Sequence, residues 1–174
     1  MWPNCDSDSG TKGTQLKGQL VGGIINQFVF LRVRVSDNGR GVMERIKRNL
    51  RYNRLSGSIP ETFKNLTLLS ELVLSDNYLE GPIPLFLGEL KSLQVIDLSN
   101  NGFDDSIPPG LGALPDLKRL SLYDNSLSGG IPHQLGNSSS LEELYLMDNW
   151  LSGLLPPELG NLTDLRYMIH GPRS

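Results

Sequence analysis

The residue types that most often carry acid–base or metal chemistry are sparse in this 174-residue sequence. Its only histidines are His133 and His170, and neither has a partner at a useful metal-ligand spacing. Two acidic pairs, Asp104–Asp105 and Glu142–Glu143, consist of adjacent residues, whose side chains point apart in a strand or loop and so do not face each other as a glycosidase pair does. We therefore predict no catalytic residue and no metal ion.

Sequence motifs for nucleotide cofactors and phosphoryl transfer are missing as well. The chain contains neither GxGxxG nor GxxxxGK followed by Ser or Thr, and the kinase signatures HRD and DFG do not occur. We predict that the protein is not an enzyme and that it uses no cofactor.

One twelve-residue motif occurs in five similar copies along the chain. LSGSIPETFKNL (residues 55–66) is followed, at intervals of 24 residues, by LEGPIPLFLGEL, FDDSIPPGLGAL, LSGGIPHQLGNS and LSGLLPPELGNL. An asparagine precedes each copy at the same distance, and these asparagines are Asn53, Asn77, Asn101, Asn125 and Asn149. A constant period of this length predicts a solenoid, in which each repeat packs only on its neighbours.

The residues before each asparagine read Leu-x-x-Leu-x-Leu-x-x-Asn, as in the segment that ends at Asn125. The Leu-x-Leu pair has the period of a short strand with one buried face, and stacked copies would form a parallel sheet over a leucine core. The asparagine carries donors and an acceptor, so we expect it to satisfy backbone groups of the turn and to form a ladder along the stack. Asp105 replaces the glycine that follows in other repeats, and we expect it to tolerate the left-handed backbone there.

This pattern resembles the plant-type leucine-rich repeat, LxxLxLxxNxLxGxIPxxLGxL. The resemblance implies an α/β repeat solenoid, a right-handed superhelix with a concave parallel β-sheet and short 3-10 or helical turns on the convex side. It also implies a second, smaller sheet near the Ile-Pro positions. The family includes extracellular domains of receptor-like kinases and receptor-like proteins, and inhibitors of polygalacturonase. The implied partners are a protein or peptide ligand and a co-receptor.

The repeats divide the chain into three predicted segments. Residues 1–44 are predicted to be an irregular basic N-terminal cap or a non-repeat segment, in which FVFLRVRV (28–35) is a predicted strand. Residues 45–168 are predicted to hold five leucine-rich repeats of 24 residues, of which the first is degenerate, with a sixth begun at Leu165. Residues 169–174 are predicted to be a tail.

Basic residues collect before the repeats: residues 1–54 carry a net charge of +6 and residues 55–174 a net charge of −9. The segment GRGVMERIKRNLRYNR (39–54) could form an amphipathic helix for nucleic acid or a membrane, because Val42, Ile46 and Leu50 would share one face. However, Asn53 and Leu55 keep the 24-residue phase, so we favour a degenerate first repeat and predict no nucleic-acid partner.

Side chains between the buried leucines of each strand must face the concave surface, because side chains alternate along a strand. In the fourth and fifth repeats these positions hold arginine, tyrosine and methionine, which are enriched at protein interfaces. The predicted ligand-binding residues are Asp97, Arg119, Ser121, Tyr123, Asp124, Glu143, Tyr145, Met147, Asp148 and Trp150.

Three sequons, Asn65-Leu-Thr, Asn137-Ser-Ser and Asn161-Leu-Thr, are candidate glycosylation sites. They favour an extracellular or plasma-membrane-associated protein, as the resemblance implies, although MWPNCDSDSG has no visible signal peptide and no segment is long enough to span a membrane. We interpret the chain as a partial ectodomain of a plant leucine-rich-repeat receptor-like kinase or receptor-like protein in cell-surface signalling. The alternatives are a soluble inhibitor of a cell-wall-degrading enzyme and an intracellular scaffold.

Overall fold

The computed structural model describes residues 15–18, 29–32 and 46–171, with side chains from Leu50 onward. The strands are β1 (Gln15–Gly18), β2 (Val29–Arg32), β3 (Ile46–Asn49), β4 (Ser56–Gly57), β5 (Leu69–Val73), β6 (Tyr78–Pro82), β7 (Val95–Asp97), β8 (Gly102–Asp104), β9 (Arg119–Ser121), β10 (Ser128–Gly129), β11 (Glu143–Tyr145), β12 (Trp150–Leu151) and β13 (Tyr167–Ile169). The 3-10 helices are η1 (Glu61–Asn65), η2 (Leu85–Glu89), η3 (Pro109–Ala113), η4 (His133–Asn137) and η5 (Pro157–Asn161).

The predicted N-terminal segment is described only in β1 and β2, which pair antiparallel to each other. β2 covers the middle of the strand predicted at residues 28–35. The rest of residues 1–44 and the last three residues of the predicted tail lie outside the described residues.

Six strands form one parallel sheet in the order β3-β5-β7-β9-β11-β13. Residues 24 apart lie side by side, so that Val95, Arg119, Glu143 and Tyr167 form one row across four strands. Residues 46–49 of the basic segment belong to this sheet as β3, so this part forms a strand of a first repeat and not an amphipathic helix. β13, which follows Leu165, continues the same register.

The leucine positions of the repeat form the core beneath this sheet. Leu117, Leu120 and Leu122 are completely buried, and the equivalent leucines of the neighbouring repeats join them in one continuous cluster. Full burial of a leucine side chain stabilises the fold by roughly 1.5–3 kcal/mol, so the stack of these rows is its main source of stability. We call the opposite face of the six-stranded sheet the concave face.

Four of the asparagines at the predicted ladder positions bond to the backbone of two repeats each, whereas Asn53 bonds only to its own turn. The Asn125 side-chain nitrogen donates to the carbonyl oxygens of Leu122 and of Leu98 in the preceding repeat, both at 3.1 Å. Its oxygen accepts from the backbone N–H of Phe103, also in the preceding repeat, at 3.0 Å. Asn77, Asn101 and Asn149 make the same set of bonds. Each of these four asparagines therefore closes its own turn and ties it to the previous repeat.

The turn after each strand has a left-handed residue just before the asparagine, and these residues are Tyr52, Asp76, Asn100, Asp124 and Asp148. Asp105 is also left-handed, with φ 63, where Gly129 of the next repeat has φ 75. The Asp105 carboxylate accepts a hydrogen bond from the N–H of Ser106 at 2.8 Å. This local bond explains why aspartate tolerates the glycine position, as the sequence predicted.

A second, smaller sheet is formed by the residues after each asparagine, as the resemblance implied. β4, β6 and β8 pair in parallel, as do β10 and β12, and a bridge between Ser106 and Ser128 joins the two groups. We call the outward side of these strands the lateral face.

On the convex side the 3-10 helices stack through a row of glycines. A Cβ atom at Gly88 would lie 2.6 Å from the carbonyl carbon of Gly110, and one at Gly112 would overlap the backbone of Gln134. Only glycine allows this close approach between neighbouring helices.

Candidate binding surface

The structure brings the predicted ligand-binding residues together on the concave face, with the exception of Trp150. Arg119 and Ser121 lie on β9, Glu143 and Tyr145 lie on β11, and Asp97 ends β7. Tyr123, Asp124, Met147 and Asp148 follow the ends of β9 and β11 and are partly buried. The cluster therefore occupies the middle and the β13 side of the sheet.

Arg119 and Glu143 form a bidentate ion pair at the centre of this cluster. Arg119 donates from Nε to Glu143 Oε2 and from Nη2 to Oε1, the latter at 2.9 Å, and Tyr145 Oη donates to Oε2 at 3.3 Å. Hydrogen bonding to Arg119 lowers the pKa of Glu143, although burial opposes the shift. Burial and the Glu143 charge raise the pKa of Tyr145, so both side chains keep fixed charge states at neutral pH.

A chain of hydrogen bonds runs across four repeats at the edge of the concave face. Arg51 Nε donates to Asp76 at 2.8 Å, and the Asn100 side-chain nitrogen donates to Asp76 at 3.0 Å and to Tyr123 Oη at 3.2 Å. The Arg51 guanidinium also lies 4.5 Å from the centre of the Tyr52 ring. These contacts fix the orientation of Tyr123, one of the predicted binding residues.

Two predicted binding residues have local roles in the structure. Ser121 is only 3% exposed, so it has almost no surface to offer a ligand. Asp97 is partly exposed, and its Oδ1 accepts bonds from the backbone N–H and the hydroxyl of Ser99, at 3.2 and 2.6 Å. Ser121 therefore keeps its place in the concave row, between Asp97 and Tyr145, but is almost fully buried there.

Trp150 belongs to a different sheet from the other predicted binding residues. It is the first residue of β12, pairs with Ser128, and lies on the lateral face, where it is 60% exposed. Trp150 was predicted to lie on the concave face, and this prediction is wrong. Trp150 follows Asn149, where the chain has already turned out of the concave sheet and into the second sheet.

Sequence reasoning missed two residues of the concave face, Tyr167 and Ile169. They lie on β13 beside Glu143 and Tyr145, and are 58% and 44% exposed. The signal was available, because Leu165 and Met168 keep the 24-residue phase of Leu141 and Leu144. A sixth repeat was predicted to begin at Leu165, but the motif is incomplete after it, so its residues were left out of the predicted surface.

The three sequon asparagines occupy one equivalent place in the fold. Asn65, Asn137 and Asn161 are the last residues of η1, η4 and η5, and all three are exposed. Both histidines are exposed as well. Among the described residues, no group of three His, Cys, Asp or Glu side chains is arranged to hold a metal ion.

The described part of the chain contains no helix that is both long and apolar enough to cross a membrane.

The sequence matches a model of the leucine rich repeat over residues 49–103 and again over residues 91–151. No curated protein matches the chain.

Solved plant proteins share the fold. The chain is 42% identical to the ectodomain of the Arabidopsis thaliana membrane receptor kinase GASSHO1/SCHENGEN3, solved with CASPARIAN STRIP INTEGRITY FACTOR 2, over 71% of this chain and 15% of that one (TM-score 0.69). It is 38% identical to the Arabidopsis receptor kinase HAESA, solved with the peptide hormone IDA and the co-receptor SERK1, over 70% and 21% (TM-score 0.68). A plant ice-binding protein is also 38% identical, over 72% and 41% (TM-score 0.69).

The chain thus spans less than a quarter of the length of these two receptor structures. The family match covers more than half of the chain, and the ladder, register and buried leucines agree with it. The chain belongs to the leucine-rich repeat family.

Proposed function

We propose that the chain is a non-enzymatic binding module from the ectodomain of a plant cell-surface receptor, and that its concave face holds a protein or peptide ligand. The observation that carries this proposal is a patch on adjoining strands formed by Tyr145, Met147, Tyr167 and Ile169. Tyr145 lies beside Ile169 in the sheet, and the Arg119–Glu143 ion pair borders the patch. Tyrosine and methionine side chains that are at least partly exposed around a fixed ion pair are typical of an interface anchor.

The width of the six described strands gives the length of ligand that these strands alone can contact. Six strands at a spacing of about 4.8 Å give a surface that an extended segment of about seven residues would cross. The similarity to receptor kinases solved with a plant factor and with a peptide hormone supports an extracellular ligand of this kind. The similarity to an ice-binding protein shows that the repeat frame alone does not determine the ligand.

The proposal is tested by selecting linear peptides from a random phage-displayed library on the recombinant protein. We expect selected peptides to lose at least about tenfold in affinity when Tyr145→Ala and Tyr167→Ala are combined. Leu85→Ala, which removes an exposed apolar side chain from η2, is the matched control and should leave the affinity unchanged. Equal loss in both variants, or no loss in either, would place the ligand elsewhere.

A further inference from the structure

The lateral face carries two exposed aromatic residues at equivalent positions of different repeats. Tyr78 begins β6 and is 67% exposed, and Trp150 begins β12 and is 60% exposed. Three repeats separate them, which corresponds to about 14 Å at the spacing of neighbouring strands. Both side chains therefore present exposed ring surface on the same face.

The surface between the two rings is small and polar. The equivalent positions of the two intervening repeats hold Gly102 and Ser126, so no large side chain rises between Tyr78 and Trp150. Ser128, the sheet partner of Trp150, is also exposed. The centre of a protein interface is usually contiguous and apolar, and this surface is not.

The charges of the lateral face are all of one sign. Within β6, β8, β10 and β12 the charged residues are Glu80 and Asp104, and both are exposed. Neither takes part in an ion pair in the part of the chain that the structure describes. Their carboxylates accept hydrogen bonds readily and would repel an anionic ligand.

We propose that the lateral face binds a neutral, β-1,4-linked oligosaccharide. Such a chain is a flat ribbon whose sugar rings present C–H groups on their faces and hydroxyl groups along their rims. The C–H faces of the sugars stack on the aromatic rings of Tyr78 and Trp150. Gly102 and Ser126 are small residues, so they leave room for the oligosaccharide to extend from one aromatic ring to the other. The sugar hydroxyls donate to Glu80 and Asp104, whose negative charge excludes polymers of uronic acids.

This site is separate from the concave face, so its test is independent of the proposed peptide ligand. Trp2→Phe leaves Trp150 as the single tryptophan of the chain, and its fluorescence then reports directly on the site. The probes are cellohexaose and chitohexaose, with a galacturonic acid hexamer as the anionic comparison. We expect a saturable change in the Trp150 emission with a neutral hexamer, and at least a tenfold weaker response to the anionic hexamer.

Tyr78→Ala in this background should weaken the affinity for the neutral hexamer at least about tenfold. Tyr52→Ala, which removes an exposed tyrosine beside the concave face, is the control and should have no effect. Thermal unfolding should be the same for both variants, since each residue is exposed. The proposal is overturned if neither neutral hexamer gives a saturable change, if the anionic hexamer binds as well, or if Trp150 responds only to a selected peptide.

Discussion

Arg119 and Glu143 lie one repeat apart on neighbouring strands, and two hydrogen bonds join them. Because this pairing lowers the pKa of Glu143 in the folded state, it stabilises the fold at pH values above the ordinary glutamate pKa. That stabilisation is lost as the pH falls through the lowered folded-state pKa. We expect Glu143→Gln to unfold at a lower temperature than the wild type at pH 7, by an amount that shrinks below about pH 4.3.

Thermal unfolding followed by circular dichroism between pH 7 and pH 3 checks this prediction. Glu89→Gln, which changes an exposed glutamate on η2, is the matched control for the loss of one carboxylate. A constant difference for Glu143→Gln across the same range would show that its effect does not come from the ion pair. The pair is partly exposed, so high salt should reduce the effect as well.

The asparagine ladder predicts that replacing an asparagine by alanine lowers the free energy of unfolding by an amount that depends on the position of the repeat in the stack. Asn125 is buried and bonds to both its own repeat and the preceding one, so Asn125→Ala leaves several buried backbone groups without partners. We expect it to lower the free energy of unfolding by about 1–3 kcal/mol in urea titrations. Asn53 is exposed and bonds to Leu50 and Arg51, so Asn53→Ala should cost less. Equal costs would contradict the role given to the bonds between repeats.

Much of the fold was predictable because each position of the repeat has one physical task. The leucine period set the strand register, and the recurring asparagine set the ladder, as Asn125 shows. Asp105 was predictable too, because aspartate is one of the few residues that tolerate a left-handed turn. Periodic burial and turn chemistry are local properties, so the sequence expresses them directly.

The candidate surface was less predictable, because exposure depends on neighbours in other repeats. Ser121 has the spacing of a concave residue, but it is only 3% exposed in the folded stack. Trp150 was placed with the concave set, yet the chain has already turned into the second sheet at that residue. Tyr167 and Ile169 were missed because the motif fades around them, although their strand pairs normally.

The convex glycine row gives a matched pair of substitutions. A Cβ atom at Gly112 would overlap the backbone of Gln134 on the next helix, so Gly112→Ala must push η3 and η4 apart. We expect it to lower the free energy of unfolding by about 1–3 kcal/mol. The same atom at Gly160 meets nothing within 4 Å, so Gly160→Ala should be neutral or stabilising by up to about 1 kcal/mol. Chemical denaturation of both variants checks this, and a loss at Gly160 as large as that at Gly112 would contradict it.

Ser138 interrupts a row of buried leucines on the same side. Leu66, Leu90, Leu114 and Leu162 hold its position in the other repeats, and all are buried. Ser138 is 1% exposed, and its hydroxyl has no hydrogen-bond partner among the residues that the structure describes. It therefore bears the cost of a desolvated polar group without the gain of a large buried apolar side chain.

The backbone at Ser138 has φ −82 and ψ 72, close to the φ −80 and ψ 76 of Leu90, so a leucine needs no backbone change there. We expect Ser138→Ala to raise the free energy of unfolding by up to about 1 kcal/mol by removing the unpaired hydroxyl, and Ser138→Leu to raise it by about 1–3 kcal/mol. Urea titration of both variants separates the two contributions. If Ser138→Ala stabilises and Ser138→Leu destabilises, the neighbouring helices have closed over the serine and left no room for a leucine. If both destabilise, the Ser138 hydroxyl itself stabilises the fold, and the cost assigned to it is wrong.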